Sequence, residues 1–127
     1  MTGQPVQTIH IGYEVSKDTL RDSDLLRAFS DCLALVKPDH WSVAEARRIL
    51  RRYGDFGYSS SLYSKSIHQG KTRKVARDMA EEIDILLWET LWEQLNLIAP
   101  EKSVFSAHPG NNSLFGFWDQ DMFGFEN

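Results

Sequence analysis

The chain has 127 residues, a mass of 14.6 kDa and a formal net charge of −4, which leaves room for one compact domain and little more. Hydrophobic residues make up 42% and charged residues 25%, proportions that exclude global disorder and collagen-like structure. No apolar run reaches the roughly 18 to 20 residues of a membrane-spanning helix, and Cys32 has no second cysteine to form a disulfide within the chain. We therefore expect a soluble, cytoplasmic protein without a membrane partner.

The first predicted elements are a strand and a helix. Apolar and polar residues mostly alternate from Val6 to Val15, which predicts a half-buried strand. A helix follows, capped by Asp18 or Ser23 and stopped by Pro38. Residues at three- and four-residue spacing form its apolar face: Leu25, Leu26, Phe29, Cys32, Leu33 and Val36.

A second helix carries a row of arginines. Ser42 followed by Glu45 is a capping-box pattern that predicts its start, and the helix ends before Gly54. Like charges four residues apart repel by roughly 0.2–0.5 kcal/mol per pair, a penalty that an anionic neighbour would reverse. Two interpretations stay open: a solvated basic face, or contact with phosphates or carboxylates. The row consists of Arg47, Arg48, Arg51 and Arg52.

The stretch from Asp55 to Gly70 is rich in Ser, Gly and Tyr, and we expect a loop with room for one short helix. A helix-turn-helix is an alternative, with the turn at residues 57–59 and the recognition helix at residues 60–67. The gap after Tyr53 is longer than the three or four residues typical of that motif, so the match is weak.

The longest helical pattern runs from Thr72 to Leu97 and would measure about 39 Å for roughly 26 residues. Its apolar arc is wider than one stripe, so the helix must be covered on more than one side. The cover is either the rest of the domain or a second subunit, which makes a homodimer one option. Four acids gather on the opposite side: Asp78, Glu82, Glu89 and Glu93.

After Pro100 the sequence changes to a turn-rich linker and an aromatic, acidic segment with two Phe-Gly-Phe units. Burying each aromatic ring is worth roughly 1.5–3 kcal/mol, so rings at this density either join the core or bind a partner. In the first case the segment covers the N-terminal strand and the long helix, and in the second it docks another protein. The docking candidates are Phe115, Phe117, Trp118, Asp119, Asp121, Phe123 and Phe125.

These elements predict an α+β fold that is mainly helical, with about three helices and a long central C-terminal helix. The N-terminal strand is expected to pair with the C-terminal aromatic segment. We divide the chain into a helical core with the N-terminal strand, residues 1–102, and an aromatic, acidic segment, residues 103–127, which packs on the core or docks a partner.

The sequence contains none of the motifs typical of catalytic sites. There is no phosphate-binding glycine loop, dinucleotide fingerprint, zinc helix, calcium loop or nucleophile elbow. No two of the four histidines stand at a metal-ligand spacing. We expect neither an enzyme nor a protein with a cofactor or metal.

Charge is strongly segregated: residues 37–77 carry 10 basic and 3 acidic groups, whereas residues 78–127 carry 1 basic and 10 acidic groups. One hypothesis is a non-catalytic protein-binding regulator or inhibitor, which contacts another protein or nucleoprotein complex through the acidic helix face and the aromatic segment. The alternative is a nucleic-acid-binding regulator. The negative net charge favours the first hypothesis. The second would use the arginine row together with Lys65, Lys71, Arg73 and Lys74.

Overall fold

The structure is a computed structural model that describes residues 9–124 and, within them, all side chains except those of residues 59–61. In this part of the chain the fold is α+β and mainly helical, which confirms the predicted class, but it has four continuous helices where about three were predicted. The strands are β1 (Glu14–Lys17), β2 (Ser103–His108) and β3 (Asn111–Asp119). The helices are α1 (Asp22–Val36), α2 (Trp41–Tyr53), α3 (Ser59–His68), α4 (Arg73–Ile85) and α5 (Trp92–Leu97); the π-helical residues Leu86–Leu91 join α4 to α5, and a 3-10 turn covers Gln120–Phe123.

The three strands form an antiparallel sheet in the order β1-β3-β2, so the last strand of the chain is central. Glu14 of β1 lies opposite Gly116, which confirms the predicted pairing between the N-terminal strand and the aromatic segment. β1 starts later than predicted because the chain turns at Gly12, where φ is 92°. Residues 1–8, partly included in the predicted strand, lie outside the described residues.

The start of α1 differs from the prediction. Neither Asp18 nor Ser23 caps it; Arg21 is the N-cap residue and provides no side-chain cap. Ser23 is buried within the first turn, where its hydroxyl donates to the carbonyl of Phe56 at 2.9 Å and accepts from the N–H of Phe56 at 3.0 Å. The serine therefore fixes a distant loop, a role that local sequence does not reveal.

α2 ends at Gly54 as predicted but begins differently. The N-cap residue is His40, whose ring nitrogen accepts from the N–H of Ser42 at 3.2 Å. Ser42 is fully buried inside the helix, so the predicted capping box with Glu45 is wrong. A histidine ring reaches the free N–H groups of a first turn as a serine oxygen does, but it is not among the residues expected there.

The long helix spans Arg73–Leu97 without interruption, close to the predicted bounds, and Thr72 caps it by accepting from the N–H of Val75 at 3.2 Å. The π-helical residues in its middle are a feature that the prediction missed. At a constant rotation of about 100° per residue, Leu95 would lie about 120° around the helix from Ile83. The π segment inserts about one residue and so removes most of this angle. The side chains of Ile83 and Leu95 therefore face the same side of the helix, and both are fully buried. No helix within residues 9–124 is long and apolar enough to cross a membrane.

α3 is the short helix expected in this stretch and occupies almost the residues of the alternative recognition helix, yet the alternative helix-turn-helix of α2 and α3 is not formed. The connection between them is pinned by buried Phe56, and α3 packs on α4 instead. Lys65 of α3 donates to the carbonyls of Tyr53 at 2.8 Å and Asp55 at 2.6 Å. A turn of four residues, 69–72, joins α3 to α4, with Gly70 at φ 86°.

Asn96 of α5 ties the long helix to the edge of the sheet. Its side chain accepts from the N–H of Phe105 at 3.0 Å and donates to the carbonyl of the same residue at 3.3 Å. It therefore pairs with β2 as a neighbouring strand would. We expect Asn96→Ala to lower the free energy of unfolding by about 2 kcal/mol, because both backbone groups lose their partner. Urea denaturation measures this, with Asn112→Ala on the exposed end of β3 as control; equal losses in both variants would contradict it.

Candidate functional site

The structure places the aromatic residues of β3 in the core. Phe115, Phe117 and Trp118 are 5%, 0% and 6% exposed. The indole N–H of Trp118 donates to the carbonyl of Ser106 at 2.9 Å, so its polar edge is also satisfied. The hypothesis that these three rings dock a partner is therefore corrected: β3 is the central strand, and its rings complete the fold.

The remaining candidates of the C-terminal segment lie around the 3-10 turn. Asp119 accepts from the N–H of Asp121 at 2.9 Å and so caps that turn. Both aspartates, with Lys102, line a polar surface hollow of about 410 Å³. Phe123 is half-buried, and Phe125 lies outside the described residues. The described part of this segment thus offers charge but no exposed aromatic anchor.

The four acids of the long helix do not form one ridge. Asp78 is bound by Lys74, with 2.8 Å between Nζ and Oδ2. Glu82 lines a groove against α2. Because the π segment rotates the residues after it by about 100°, Glu93 lies on a different side of the helix from Asp78 and Glu82. Glu89 lies within the π segment itself, and both glutamates are exposed.

Two of the four arginines in the row on α2 are neutralised within the molecule. Arg47 lies 3.4 Å from Asp31 of α1, and Arg48 lies 2.6 Å from Glu45. The hydrogen bond from Arg48 lowers the pKa of the Glu45 carboxyl, since it stabilises the charged form. Arg52 lies over the ring of Tyr53 at 5.6 Å. Lys65 is bound to backbone carbonyls, so it is not available for phosphate either.

Three cations without a salt bridge within the described residues lie around the turn between α3 and α4. Lys71 and Arg73 form no salt bridge or side-chain hydrogen bond within the described residues, and neither does Arg77, which the sequence pattern did not single out. Arg51 on α2 is likewise unpaired and exposed within this part of the chain. We call Lys71, Arg73 and Arg77, together with Lys74, which is bound by Asp78, the basic turn.

A groove between α2 and the long helix is a surface that the sequence analysis did not predict. α2 runs antiparallel to the long helix, so its first residue, Trp41, faces Ile85 and Thr90, while Tyr53 at its end donates to the sulfur of Met79 at 2.8 Å. Trp41 and Ile85 are 61% and 49% exposed. The groove has a volume of about 220 Å³ and is lined by Trp41, Glu45, Ile49, Glu82, Ile85, Leu86 and Thr90; we call it the Trp41 groove.

The position of Trp41 in the sequence indicates that its side chain is exposed. On a wheel of about 100° per residue it lies about 120° from the middle of the buried stripe of α2. A tryptophan so far off the stripe is expected to face solvent. Its ring is stacked on that of His40, with centroids 5.7 Å apart and an angle of 30° between the planes. The N-cap residue thus also supports the exposed indole.

A larger hollow, of about 460 Å³, lies between β1 and α1, but its charged groups are already engaged. Asp24 accepts from the hydroxyl of Thr19 at 2.6 Å and lies 3.7 Å from Arg27, and Asp31 is paired with Arg47. Burial raises the pKa of the Cys32 thiol in this hollow to about 12, so at neutral pH it is protonated and unsuited to nucleophilic attack.

The Trp41 groove presents apolar carbon, two carboxylates and one hydroxyl to solvent. Such a surface suits an apolar side chain with a cation beside it. Within residues 9–124, no group of three His, Cys, Asp or Glu side chains is arranged to hold a metal ion. The chain matches no protein-family model, and it matches neither a curated protein nor a solved structure.

Proposed function

We propose that this protein is a non-catalytic binding protein that recognises a basic, apolar segment of another protein in the Trp41 groove. The observation that carries the proposal is the 61% exposure of Trp41 beside an apolar hollow. Leaving a tryptophan in water forgoes the large gain of burying it, and tryptophan is among the residues most enriched in binding hot spots.

The groove is already formed before a partner binds. Trp41 stands in the first turn of α2 and stacks on His40, while buried Ile49 and Leu86 form the floor. A side chain that is held in place loses little conformational freedom on binding, so more of the contact energy contributes to affinity. The volume of about 220 Å³ is below the 300–1,000 Å³ usual for small-molecule sites, which favours a peptide side chain as occupant.

Charge at the rim favours a basic partner. Glu45 is held by Arg48, and the charge of Arg48 also acts on Glu82, although Glu82 forms no salt bridge within the described residues. Two carboxylates that share one arginine beside an apolar hollow match a peptide in which Lys or Arg flanks a large apolar side chain. Exposed Glu89 adds long-range attraction of the same sign.

Selection of short random peptides displayed on phage tests this function, since the selected sequences themselves show which side chains the groove prefers. We expect the selected peptides to share an apolar anchor flanked by Lys or Arg. Trp41→Ala should weaken their binding at least tenfold, about 1.4 kcal/mol, because the anchor loses its main contact surface. Fluorescence anisotropy with a labelled selected peptide measures the change.

Leu97→Ala is the matched control, since Leu97 is 64% exposed on α5 and does not line the groove. It should leave peptide binding unchanged. Glu82→Lys should weaken binding more at low salt than at high salt, whereas Glu93→Lys should have little effect. Selected peptides that bind Trp41→Ala as tightly as the parent protein would refute the proposal. Light scattering gives a further check: a dimer that Trp41→Ala dissociates would mean that a second copy occupies the groove.

A further inference from the structure

We infer a second binding site, for the backbone of duplex DNA, at the basic turn between α3 and α4. It is independent of the Trp41 groove. Lys71, Arg73 and Arg77 have no carboxylate partner in the described part of the chain, whereas Arg27 of α1 and two of the four arginines of α2, Arg47 and Arg48, are paired. Lys74 is bound by Asp78 and is exposed. An external anion is what this cluster lacks.

These cations lie at the N-terminal end of α4, where positive charge destabilises the helix. The N-terminus of a helix carries a partial positive charge, and α4 has no acid in its first turn to offset it. Arg73 adds a full charge at that end, and Lys74 adds a second that Asp78 partly offsets. Like-charge repulsion there is unfavourable for the isolated protein and becomes favourable once a phosphate binds.

Backbone donors converge with the side chains at the same place. Thr72 caps α4 by accepting from Val75, and its carbonyl accepts from Ala76. The N–H groups of Arg73 and Lys74 have no acceptor within the described residues, as expected for the first residues of a helix. Phosphate oxygens are common partners of such N–H groups in protein–DNA complexes.

The turn brings α3 and α4 close together. Gly70 supplies the left-handed backbone, and fully buried Ser66 and Ala76 are small enough to allow a close approach. Polar side chains of α3, those of Ser64 and His68, are exposed on its surface. A short helix followed by a four-residue turn and a basic helix start is the arrangement with which many proteins place a helix end in the major groove.

Duplex DNA fits this surface better than an acidic protein does. Val75, which follows Arg73 and Lys74 in the first turn of α4, is 41% exposed, and an apolar side chain beside the cations suits contact with a thymine methyl group in the major groove. The major groove of B-DNA is wide enough for an α-helix, whereas the deep, narrow major groove of double-stranded RNA is not. Asp78 and Glu81, both exposed, limit the contact to the first turns of α4, so about three or four phosphates are within reach.

Fluorescence anisotropy with a short labelled DNA duplex tests the site on the full chain. We expect a dissociation constant on the order of 10⁻⁴ to 10⁻⁶ M and a slope of log affinity against log salt of about −3, the value for three or four phosphate contacts. The double variant Arg73→Glu with Arg77→Glu should bind at least tenfold more weakly, with a slope closer to −1. Circular dichroism verifies that the variant is folded.

The double variant Lys17→Glu with Lys102→Glu is the control, because it makes the same change in net charge at exposed sites outside the basic turn. It should retain most of the affinity, as should Arg51→Glu on α2. Three results would overturn the inference: no binding at about 50 mM salt, equal losses in the test and control variants, or competition by double-stranded RNA or polyglutamate as strong as that by DNA. Trp41→Ala should leave DNA binding unchanged, so failure here is distinguishable from failure of the proposed protein-binding function.

Discussion

Phe29→Ala is expected to lower the free energy of unfolding by about 3–5 kcal/mol, the largest loss that we predict for a single substitution. Phe29 is fully buried on α1, and its ring lies 5.0 Å from that of Phe105 and 5.5 Å from that of Phe115. It therefore joins the first helix to both C-terminal strands. Truncation leaves a cavity among aromatic rings that cannot collapse without moving the sheet. Urea denaturation monitored by circular dichroism measures the loss.

Two controls accompany this variant. Phe29→Leu keeps most of the apolar volume and should cost less than half as much. Leu97→Ala removes an exposed leucine and should change the free energy of unfolding by no more than about 0.5 kcal/mol. A loss below about 1 kcal/mol for Phe29→Ala would mean that the aromatic segment is not part of the core.

Gly116→Ala should cost about 3 kcal/mol, because there is no space for a methyl group at this position. A Cβ atom on Gly116 would collide with the carbonyl oxygen of Tyr13 and would lie 2.8 Å from the indole of Trp118. The first collision is with backbone at the point where β1 pairs with β3, so relief requires the strands to separate. Thermal and urea denaturation both report the change.

Gly57→Ala is the matched control for this substitution. Its nearest neighbour would be a guanidinium nitrogen of Arg21 at 4.0 Å, and its φ is not in the left-handed region. We expect a nearly neutral effect there, within about 0.5 kcal/mol. If both glycine variants were equally stable, the close packing of β1 against β3 and Trp118 would be wrong.

Local patterns were sufficient for the apolar faces of α1 and α2 and for the pairing of the first strand with the last, but not for the residues that cap these two helices. The apolar faces of α1 and α2 follow the helical period directly, and Gly54 and Pro100 mark real boundaries. The π segment depends on packing, since it aligns two buried stretches of one helix. The four-residue spacing of Ile83, Leu87, Leu91 and Leu95 was a signal for it, because such a spacing drifts by about 40° per step in an ordinary α-helix.

The candidate sites were harder to predict, because the salt bridges and the burial of their side chains depend on contacts between residues far apart in the sequence. Arg47 is neutralised by Asp31, 16 residues earlier, and no local pattern shows that contact. The two Phe-Gly-Phe units also differ in structure: Gly116 lies in a central strand, whereas Gly124 follows a 3-10 turn with φ 68°. Sequence similarity between them did not indicate a repeated docking element.

Two separate recognition surfaces, the Trp41 groove and the basic turn, are the central claim, and one anisotropy experiment tests it directly. A labelled phage-selected peptide and a labelled DNA duplex are titrated with the parent protein, with Trp41→Ala and with the Arg73→Glu, Arg77→Glu double variant. We predict that the first variant loses at least tenfold in affinity for the peptide alone and the second at least tenfold for DNA alone. Loss of both ligands in the same variant, or of neither in either variant, would contradict the claim.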